Sequence, residues 1–198
     1  MVRVSPNGNY IFAALGSNGD AVFSFNTSTG AATLEQTLSV SAQTSDNALV
    51  ADSTSSFLYI ARSGAGSGLA IYTIGAQGAL TSVPNSPFAA GAQPLDVRLD
   101  NTGKFVYVAN GSDGNISGYS VTNGVPTALN GSPYASGATV QSLALDSSGN
   151  YLLAGAFGGS PDLTMYSFDA TVAGKLDQAA TTAAGTDPAG VVEVVATH

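Results

Sequence analysis

The stretch Asp100–Val121, DNTGKFVYVANGSDGNISGYSV, decides the fold of this chain. It reads as a turn containing Asp and Gly, a strand that is apolar on both faces, a tight loop rich in Gly and Asp, and a second strand. A strand that is apolar on both faces must be covered on both sides. The stretch therefore predicts a sheet that packs between two neighbours.

The same pattern occurs four times along the chain. An aromatic residue follows the opening turn of each repeat, at Tyr10, Phe57, Phe105 and Tyr151. A second aromatic keeps nearly the same period in the third strand of each repeat, at Phe23, Tyr72, Tyr119 and Tyr166. Repeats of about 47 residues that read as four-stranded antiparallel units are typical of the blades of a β-propeller.

The predicted fold class is therefore all-β, a β-propeller of four-stranded antiparallel blades. The blade repeats are expected at about 2–46, 47–95, 96–141 and 142–188, and one further closing strand is expected at 189–197. A blade buries each of its faces against a neighbour, so a single blade is not expected to be stable alone.

The turn that opens each repeat has a side-chain hydrogen-bond acceptor at one position, occupied by Ser5, Asp52, Asp100 and Asp146. Such a side chain accepts hydrogen bonds from backbone N–H groups two residues further on. A glycine that takes a positive φ is expected in three of these turns, at Gly8, Gly103 and Gly149. Because they recur in every repeat, these acids are predicted to be structural.

Composition excludes several classes of function. The chain has 5 Lys and Arg against 13 Asp and Glu, a net charge of -8, so nucleic acid and anionic membranes are not expected partners. It has no cysteine, and its one histidine is the last residue, His198, so we expect no metal site and no cofactor. The Ser, Thr and Gly content with few Lys favours an exported protein.

The segments Asp100–Asn110 and Ile116–Val121 resemble the YVTN-type repeat of the lactonase propeller family, which is related to 6-phosphogluconolactonase and the muconate-lactonising enzymes. The Ser-Pro-Phe/Tyr-Ala elements that begin at Ser86 and Ser132 are also similar to that family. The resemblance implies seven blades, whereas this chain supplies four and a strand. Three alternatives follow: part of a seven-bladed protein, which we favour, a four-bladed propeller, or a half-propeller. The first and third predict missing blades or self-association with a second copy.

Five residues are candidate ligand-binding residues. Arg3 and Arg98 share one position on two first strands, which line the central channel of a propeller, and a guanidinium group suits a carboxylate or a phosphate. Asp96 lies beside Arg98 and is either part of the same site or its ion-pair partner. Arg62 is in register with Asn110 at the end of the second strand. A small anionic or sugar-like ligand at the channel mouth is the expected partner.

The resemblance also implies His or Arg after the Pro that enters the first strand, and an acid after the Asn that closes the second. This chain has Leu95 and Ala189 at the first position and Gly111 at the second. Lactone hydrolysis needs a group that polarises the carbonyl and a base for water. No such pair is evident, so we favour a binding or interaction module. The alternative is a sugar-lactone hydrolase or muconate-type lactonising enzyme whose site is completed by other blades or a second copy.

Overall fold

The structure is a computed structural model that describes residues 1–182 and 193–195. It contains four antiparallel sheets, each with a path of four strands in sequence order, which confirms the all-β prediction. The chain divides into two compact units, Met1–Ala89 and Ala90–His198. None of the described residues forms a helix of the length and hydropathy needed to cross a bilayer.

The first unit contains two sheets. The strands of its first sheet are β1 (Val2–Val4), β2 (Tyr10–Ala14), β3 (Asp20–Phe25) and β4 (Ala32–Leu38). The second sheet has β5 (Thr44–Ala51), β6 (Phe57–Gly64), β7 (Gly68–Ile74) and β8 (Leu80–Ser82), with a 3₁₀ turn at Ala76–Gly78 before β8. Apolar residues from both sheets form one core: Phe12, Ala14, Val22, Leu49, Leu58, Ile60, Ala70, Tyr72 and Leu80. Each sheet therefore covers a face of the other, as blades do.

The second unit also contains two sheets. One has β9 (Pro94–Leu99), β10 (Phe105–Asn110), β11 (Asn115–Thr122) and β12 (Val125–Ala128), and the short β13 (Tyr134–Ala135) pairs with β11. The other has β14 (Val140–Leu145), β15 (Tyr151–Ala156), β16 (Leu163–Phe168) and β17 (Leu176–Thr181). The phenol of Tyr107 donates to the carbonyl of Gly174 at 2.6 Å, which joins the two sheets through a buried hydrogen bond.

The turns opened by Asp100 and Asp146 form as the sequence predicts, with a hydrogen bond from the backbone N–H two residues further on. Asp52 instead accepts from the N–H groups of Ser56 and Phe57, and the Ser5 hydroxyl accepts from that of Tyr10. Asp100 accepts from the backbone N–H of Thr102 through Oδ2 at 3.1 Å and from that of Phe105 through Oδ1 at 2.9 Å. Gly103 has a φ of +68° in this turn. In the second repeat Ser55 takes the positive φ, +55°, in place of a glycine. The carboxylate therefore satisfies backbone donors that the tight turn leaves without strand partners.

The Ser-Pro-Phe/Tyr-Ala elements have a defined structural role. The hydroxyl of Ser132 accepts from the backbone N–H of Gly118 at 2.9 Å, and that of Ser86 accepts from the N–H of Ile71 at 2.8 Å. In each case the element runs beside the third strand of its sheet beyond the end of the fourth. It therefore satisfies third-strand backbone groups that the short fourth strand does not reach.

The closing strand predicted at 189–197 falls almost entirely outside the described residues. Of that segment the structure describes 193–195, where the backbone N–H of Val194 donates to the hydroxyl of Ser142 at 3.0 Å. The closing strand stays a prediction, as do the blade boundaries.

Candidate functional site

Asp96 and Arg98 form an ion pair on β9. Nη1 of Arg98 donates to Oδ1 of Asp96 at 3.0 Å and to the carbonyl of Val97 at 3.1 Å. Asp96 is buried, and its Oδ2 accepts from the backbone N–H of Leu143, in β14, at 2.8 Å. The carboxylate therefore holds two neighbouring first strands together, and Arg98 balances its charge. This arrangement matches the ion-pair alternative for these two residues.

Asn110 lies at the end of β10 and is fully buried. Its Nδ2 donates to Oδ1 of Asn115 at 2.8 Å and to the hydroxyl of Ser117 at 2.9 Å, while its Oδ1 accepts from the backbone N–H of Gly91 at 3.1 Å. These bonds use both N–H groups and the carbonyl of the amide. Asn110 therefore fixes the β10–β11 hairpin against the loop that precedes β9.

Arg3 lies on β1, opposite Phe12 of β2. Its Nη1 makes a long contact of 3.4 Å with the carbonyl of Val2, the residue before it. Arg3 belongs to the first compact unit and Arg98 to the second.

Arg62, at the end of β6, is held by a buried acid that the sequence did not single out. Nε and Nη2 of Arg62 donate to Oδ1 and Oδ2 of Asp46, in β5, at 2.6 and 2.7 Å. Nη2 also donates to the phenol oxygen of Tyr72, in β7, at 3.1 Å. The Asp46 side chain is 0% exposed and that of Arg62 15%. This bidentate pair fixes the guanidinium plane, and the hydrogen bond to Asp46 raises the pKa of Arg62.

A second buried acid, Asp20, lies at the start of β3, where it pairs with Ala14 across the β2–β3 hairpin. Gly16, in the loop of this hairpin, exchanges two backbone hydrogen bonds with Asp46, of 3.2 and 3.3 Å. This bridge brings the loop against β5. Asp20 is 3% exposed, and within the described part of the chain neither of its carboxyl oxygens accepts a hydrogen bond.

Burial and the neighbouring carboxylate of Asp46 together raise the pKa of Asp20 to about 8. Arg62 and the amino group of Met1 lower it by less. The side chain of Asp20 therefore carries a proton at neutral pH. A protonated carboxyl group can donate to Asp46, whereas two carboxylates have no hydrogen to share. We refer to Asp20, Asp46, Arg62 and Tyr72 as the Arg62 cluster.

The Arg62 cluster contains a charged strand pair where the equivalent pairs of other sheets are uncharged. Arg62 pairs with Asp46, and the equivalent pairs in the next two sheets are Asn110 with Pro94 and Ala156 with Val140. The charged pair therefore replaces neutral residues at one blade position. Alignment of the four repeats identified Arg62 but not Asp20 or Asp46, because each of these acids resembles an ordinary polar residue of a loop. The signal that was available is the presence of three charges at strand ends in a chain with 9% charged residues.

Two open surface depressions, of about 510 and 400 Å³, lie elsewhere. The first is lined by Asn9, Ser24, Phe25, Asn26, Thr27, Ala31 and Thr33. The second is lined by Lys104, Phe105, Ser120, Val121, Thr122 and Asn123. Both lie where the second strand of a sheet begins and the third ends, so they follow from the shape of the repeat. Neither includes a residue of the Arg62 cluster.

Among residues 1–182 and 193–195, no group of three or more His, Cys, Asp or Glu side chains is arranged to hold a metal ion. The one histidine, His198, lies outside these residues.

Solved structures share the fold. A putative 6-phosphogluconolactonase from Bacteroides uniformis is 19% identical, with a TM-score of 0.75, and the match covers 89% of this chain and 52% of that one. The periplasmic gluconolactonase of Pseudomonas aeruginosa is 20% identical, with a TM-score of 0.74 and coverage of 92% and 56%. A protein of unknown function from Desulfotomaculum acetoxidans is 16% identical, with a TM-score of 0.76 and coverage of 93% and 56%. The chain thus spans about half the length of these proteins.

Sequence comparison assigns the family. No curated protein matches the chain. The family model described as "Lactonase, 7-bladed beta-propeller" matches residues 2–140, which is more than half of the sequence. The matched residues include every strand from β1 to β13. The chain belongs to the lactonase family of seven-bladed β-propellers.

Proposed function

We propose that this chain binds a small anionic ligand derived from a sugar at the Arg62 cluster, and that it acts as a binding module. The observation that supports this proposal is the set of hydrogen bonds made by the Arg62 guanidinium group. Three of its N–H groups are fixed by Asp46 and Tyr72, while Nη1 makes no hydrogen bond within the described residues. Two N–H donors therefore remain for a ligand.

A guanidinium group that is already fixed is well suited to binding an anion. Its side chain is already ordered before the ligand arrives, so binding does not carry the entropic cost of ordering it. The side chain is 15% exposed, which leaves its outer edge accessible while Asp46 stays covered. Arginine donates paired N–H groups to carboxylates and phosphates. The similar proteins named as a putative 6-phosphogluconolactonase and a gluconolactonase support a sugar acid or its lactone as the ligand class.

The same geometry argues against hydrolysis by this cluster alone. A general base must reach the water that it deprotonates. The side chain of Asp46 is 0% exposed and both of its oxygens bind Arg62. Both oxygens of Asp20 are also buried, and its raised pKa keeps it protonated at neutral pH. The cluster therefore supplies an anion-binding group without an accessible base.

The second candidate is sugar-lactone hydrolysis, or lactonisation of the muconate type, at a site completed by further blades or a second copy. One observation favours it: Asp20 and Asp46 are two interacting carboxyl groups, and the pKa of Asp20 is raised by burial and by Asp46, an arrangement that acid–base catalysis uses elsewhere. Hydrolysis would then depend on groups that bring water to this pair.

Calorimetric titration with gluconate tests the binding proposal. Arg62→Lys keeps a positive charge beside Asp46 but lacks the fork, and we expect it to weaken gluconate binding by about tenfold or more, the loss of one charge-assisted hydrogen bond. The matched control is Arg3→Gln, which removes an arginine of the same unit that pairs with no carboxylate among the described residues, and it should bind gluconate as the wild type does. Equal affinity in wild type and Arg62→Lys would disprove the proposal.

A lactone assay separates the two candidates. Glucono-δ-lactone is incubated with the purified chain, and acid release is followed against the spontaneous rate in buffer. The binding proposal expects no acceleration. A rate above the spontaneous one that Arg62→Lys abolishes and Arg3→Gln retains would favour the hydrolase instead.

A further inference from the structure

Asp20 is the residue of the Arg62 cluster for which the binding proposal gives no role. It comes from the first sheet of its unit, whereas Asp46, Arg62 and Tyr72 all come from the second. Its carboxyl oxygens are buried without a hydrogen-bond donor among the described residues. Burying an ionised carboxylate in this way is costly, and the cost falls away when the group takes up a proton.

The charged groups that act on Asp20 come from several parts of the first unit. They are the carboxylate of Asp46 on β5, the guanidinium of Arg62 on β6 and the amino group of Met1 before β1. The phenol of Tyr72 on β7 is one step further away, through its bond to Arg62. With Asp20 protonated, Asp46 and Arg62 balance each other. With Asp20 ionised, two carboxylates face one guanidinium, and the three groups together carry one negative charge.

We propose that the buried, unpartnered carboxyl group of Asp20 holds a proton, and that this proton regulates the binding of an anion at Arg62. The inference rests on the proposed function, because it concerns the same guanidinium. When the proton is present the cluster is neutral and the free edge of Arg62 attracts the ligand. When the proton leaves, the second carboxylate repels the ligand and competes with it for Arg62.

The position of the proton supports this reading. Burial raises the pKa of Asp20 to about 8, so the proton would leave between neutral and mildly alkaline pH. The Gly16–Asp46 backbone bridge joins the β2–β3 loop of the first sheet to β5 of the second, next to both carboxyl groups. In the described part of the second unit the equivalent pairs are uncharged, Asn110 with Pro94 and Ala156 with Val140. The switch is thus particular to this blade position.

The test measures gluconate binding between pH 6.5 and 9.5, a range in which gluconate itself does not titrate. The wild type should keep a constant Kd up to about pH 7.5 and then lose affinity by up to about tenfold per pH unit, the limit for one linked proton. Asp20→Asn is neutral at every pH and can still donate a hydrogen bond to Asp46. It should bind gluconate with a Kd that stays constant across this range.

The matched control is Asp146→Asn, which changes an acid in an opening turn whose pKa is lowered, chiefly by a hydrogen bond from Ser148. This variant should keep the wild-type pH dependence. A wild-type decline that persists unchanged in Asp20→Asn overturns the inference and leaves the binding proposal standing. Absence of gluconate binding at every pH overturns the binding proposal itself.

Direct titration of the carboxyl group tests the proton without a ligand. The carboxyl ¹³C shift of Asp20, assigned by its loss in Asp20→Asn, should move between pH 7 and 9 in the free chain. The inference also expects gluconate binding at pH 8.5 to take up protons, measured as a heat that depends on the buffer. An Asp20 carboxyl that titrates near pH 4 would overturn the inference regardless of how gluconate binds.

Discussion

The raised pKa of Asp20 also predicts how the stability of the fold depends on pH. Its folded pKa of about 8 lies above the ordinary value of 3.8, so between these values the folded chain holds a proton that the unfolded chain has released. Stability therefore falls as pH rises through this window, by about 1.4 kcal/mol per pH unit at most, and levels off above pH 8. We expect the urea midpoint of the first unit to drop steadily between pH 5 and 8.

Asp20→Asn should remove this dependence. The amide fits the same space and is never charged, so the variant should match the wild type below pH 3.8 and exceed it in stability at pH 8. Urea unfolding followed by tyrosine fluorescence at both pH values measures the difference. A wild type that gains stability from pH 5 to 8 relative to Asp20→Asn would contradict the assignment of a buried proton.

At the scale of elements, the β6–β7 hairpin depends on two glycines with different constraints. Gly64 has a φ of +86°, and a Cβ there would lie 1.8 Å from the carbonyl oxygen of Gln43. Gly66 has a φ of +76° with no atom within 4 Å of its Cβ position. Gly66→Ala should therefore lose only the stability that a left-handed backbone costs a residue with a Cβ, roughly 1–2 kcal/mol. Gly64→Ala must also displace the backbone beside β5.

We expect Gly64→Ala to be less stable than Gly66→Ala by roughly 1–3 kcal/mol, the usual cost of forcing atoms into a packed site. Since Gly64 is two residues from Arg62, it should weaken gluconate binding as well. Equilibrium urea unfolding of both variants provides the comparison. Equal losses in the two would mean that φ alone sets the requirement for glycine at this hairpin.

Most of the sheets were predictable from the sequence because their determinants are local and repeated. The aromatic after each turn recurs at a nearly constant period, and the Asp100 turn forms as expected, with bonds to the N–H groups of Thr102 and Phe105. The short β13 was not predicted, because two residues, Tyr134–Ala135, carry no periodicity. It pairs with β11 next to the Ser132 hydroxyl, which accepts from the N–H of Gly118.

The Arg62 cluster could not be predicted in full, because its acids meet through tertiary structure. The pairing of β5 with β6 has an irregularity between Asp46 and Ala48. An alignment on the opening turns therefore gives no indication that Asp46 faces Arg62. Asp20 comes from another sheet, which the bridge between Gly16 and Asp46 and a shared apolar core hold against β5. The raised pKa of Asp20 follows from that burial, which a linear sequence does not display.

For the whole molecule, the family and the length of the chain indicate which parts of a propeller it supplies. The chain belongs to a family of seven-bladed propellers and provides four blade-like sheets, about half the length of the similar solved proteins. In the proposal, ligand recognition lies within one unit, at Arg62, while catalysis would need groups from outside the cluster. Missing blades, as in the favoured seven-bladed alternative, or a second copy would supply these groups. Binding without turnover is thus the behaviour that we expect of the chain by itself.

The net charge of -8 leads to the last prediction. An anion that approaches Arg62 must cross a negative field, which slows association at low ionic strength. The Debye length falls from about 30 Å at 0.01 M salt to about 10 Å at 0.1 M, so added salt should remove this long-range repulsion. The contact with the partly buried Arg62 is screened much less. We therefore expect the association rate constant of gluconate to rise roughly twofold or more over this range.

Stopped-flow tyrosine fluorescence measures that rate, because the chain has no tryptophan and Tyr72 is bonded to Arg62. The neutral glucono-δ-lactone is the matched control, since an uncharged ligand should associate at the same rate at both salt concentrations. Arg62→Lys should retain the salt effect on association but release gluconate faster, because the net charge is unchanged while the fork is lost. A gluconate rate that falls as salt is added would mean that attraction by local positive charge governs the encounter, and that the net charge of the chain does not.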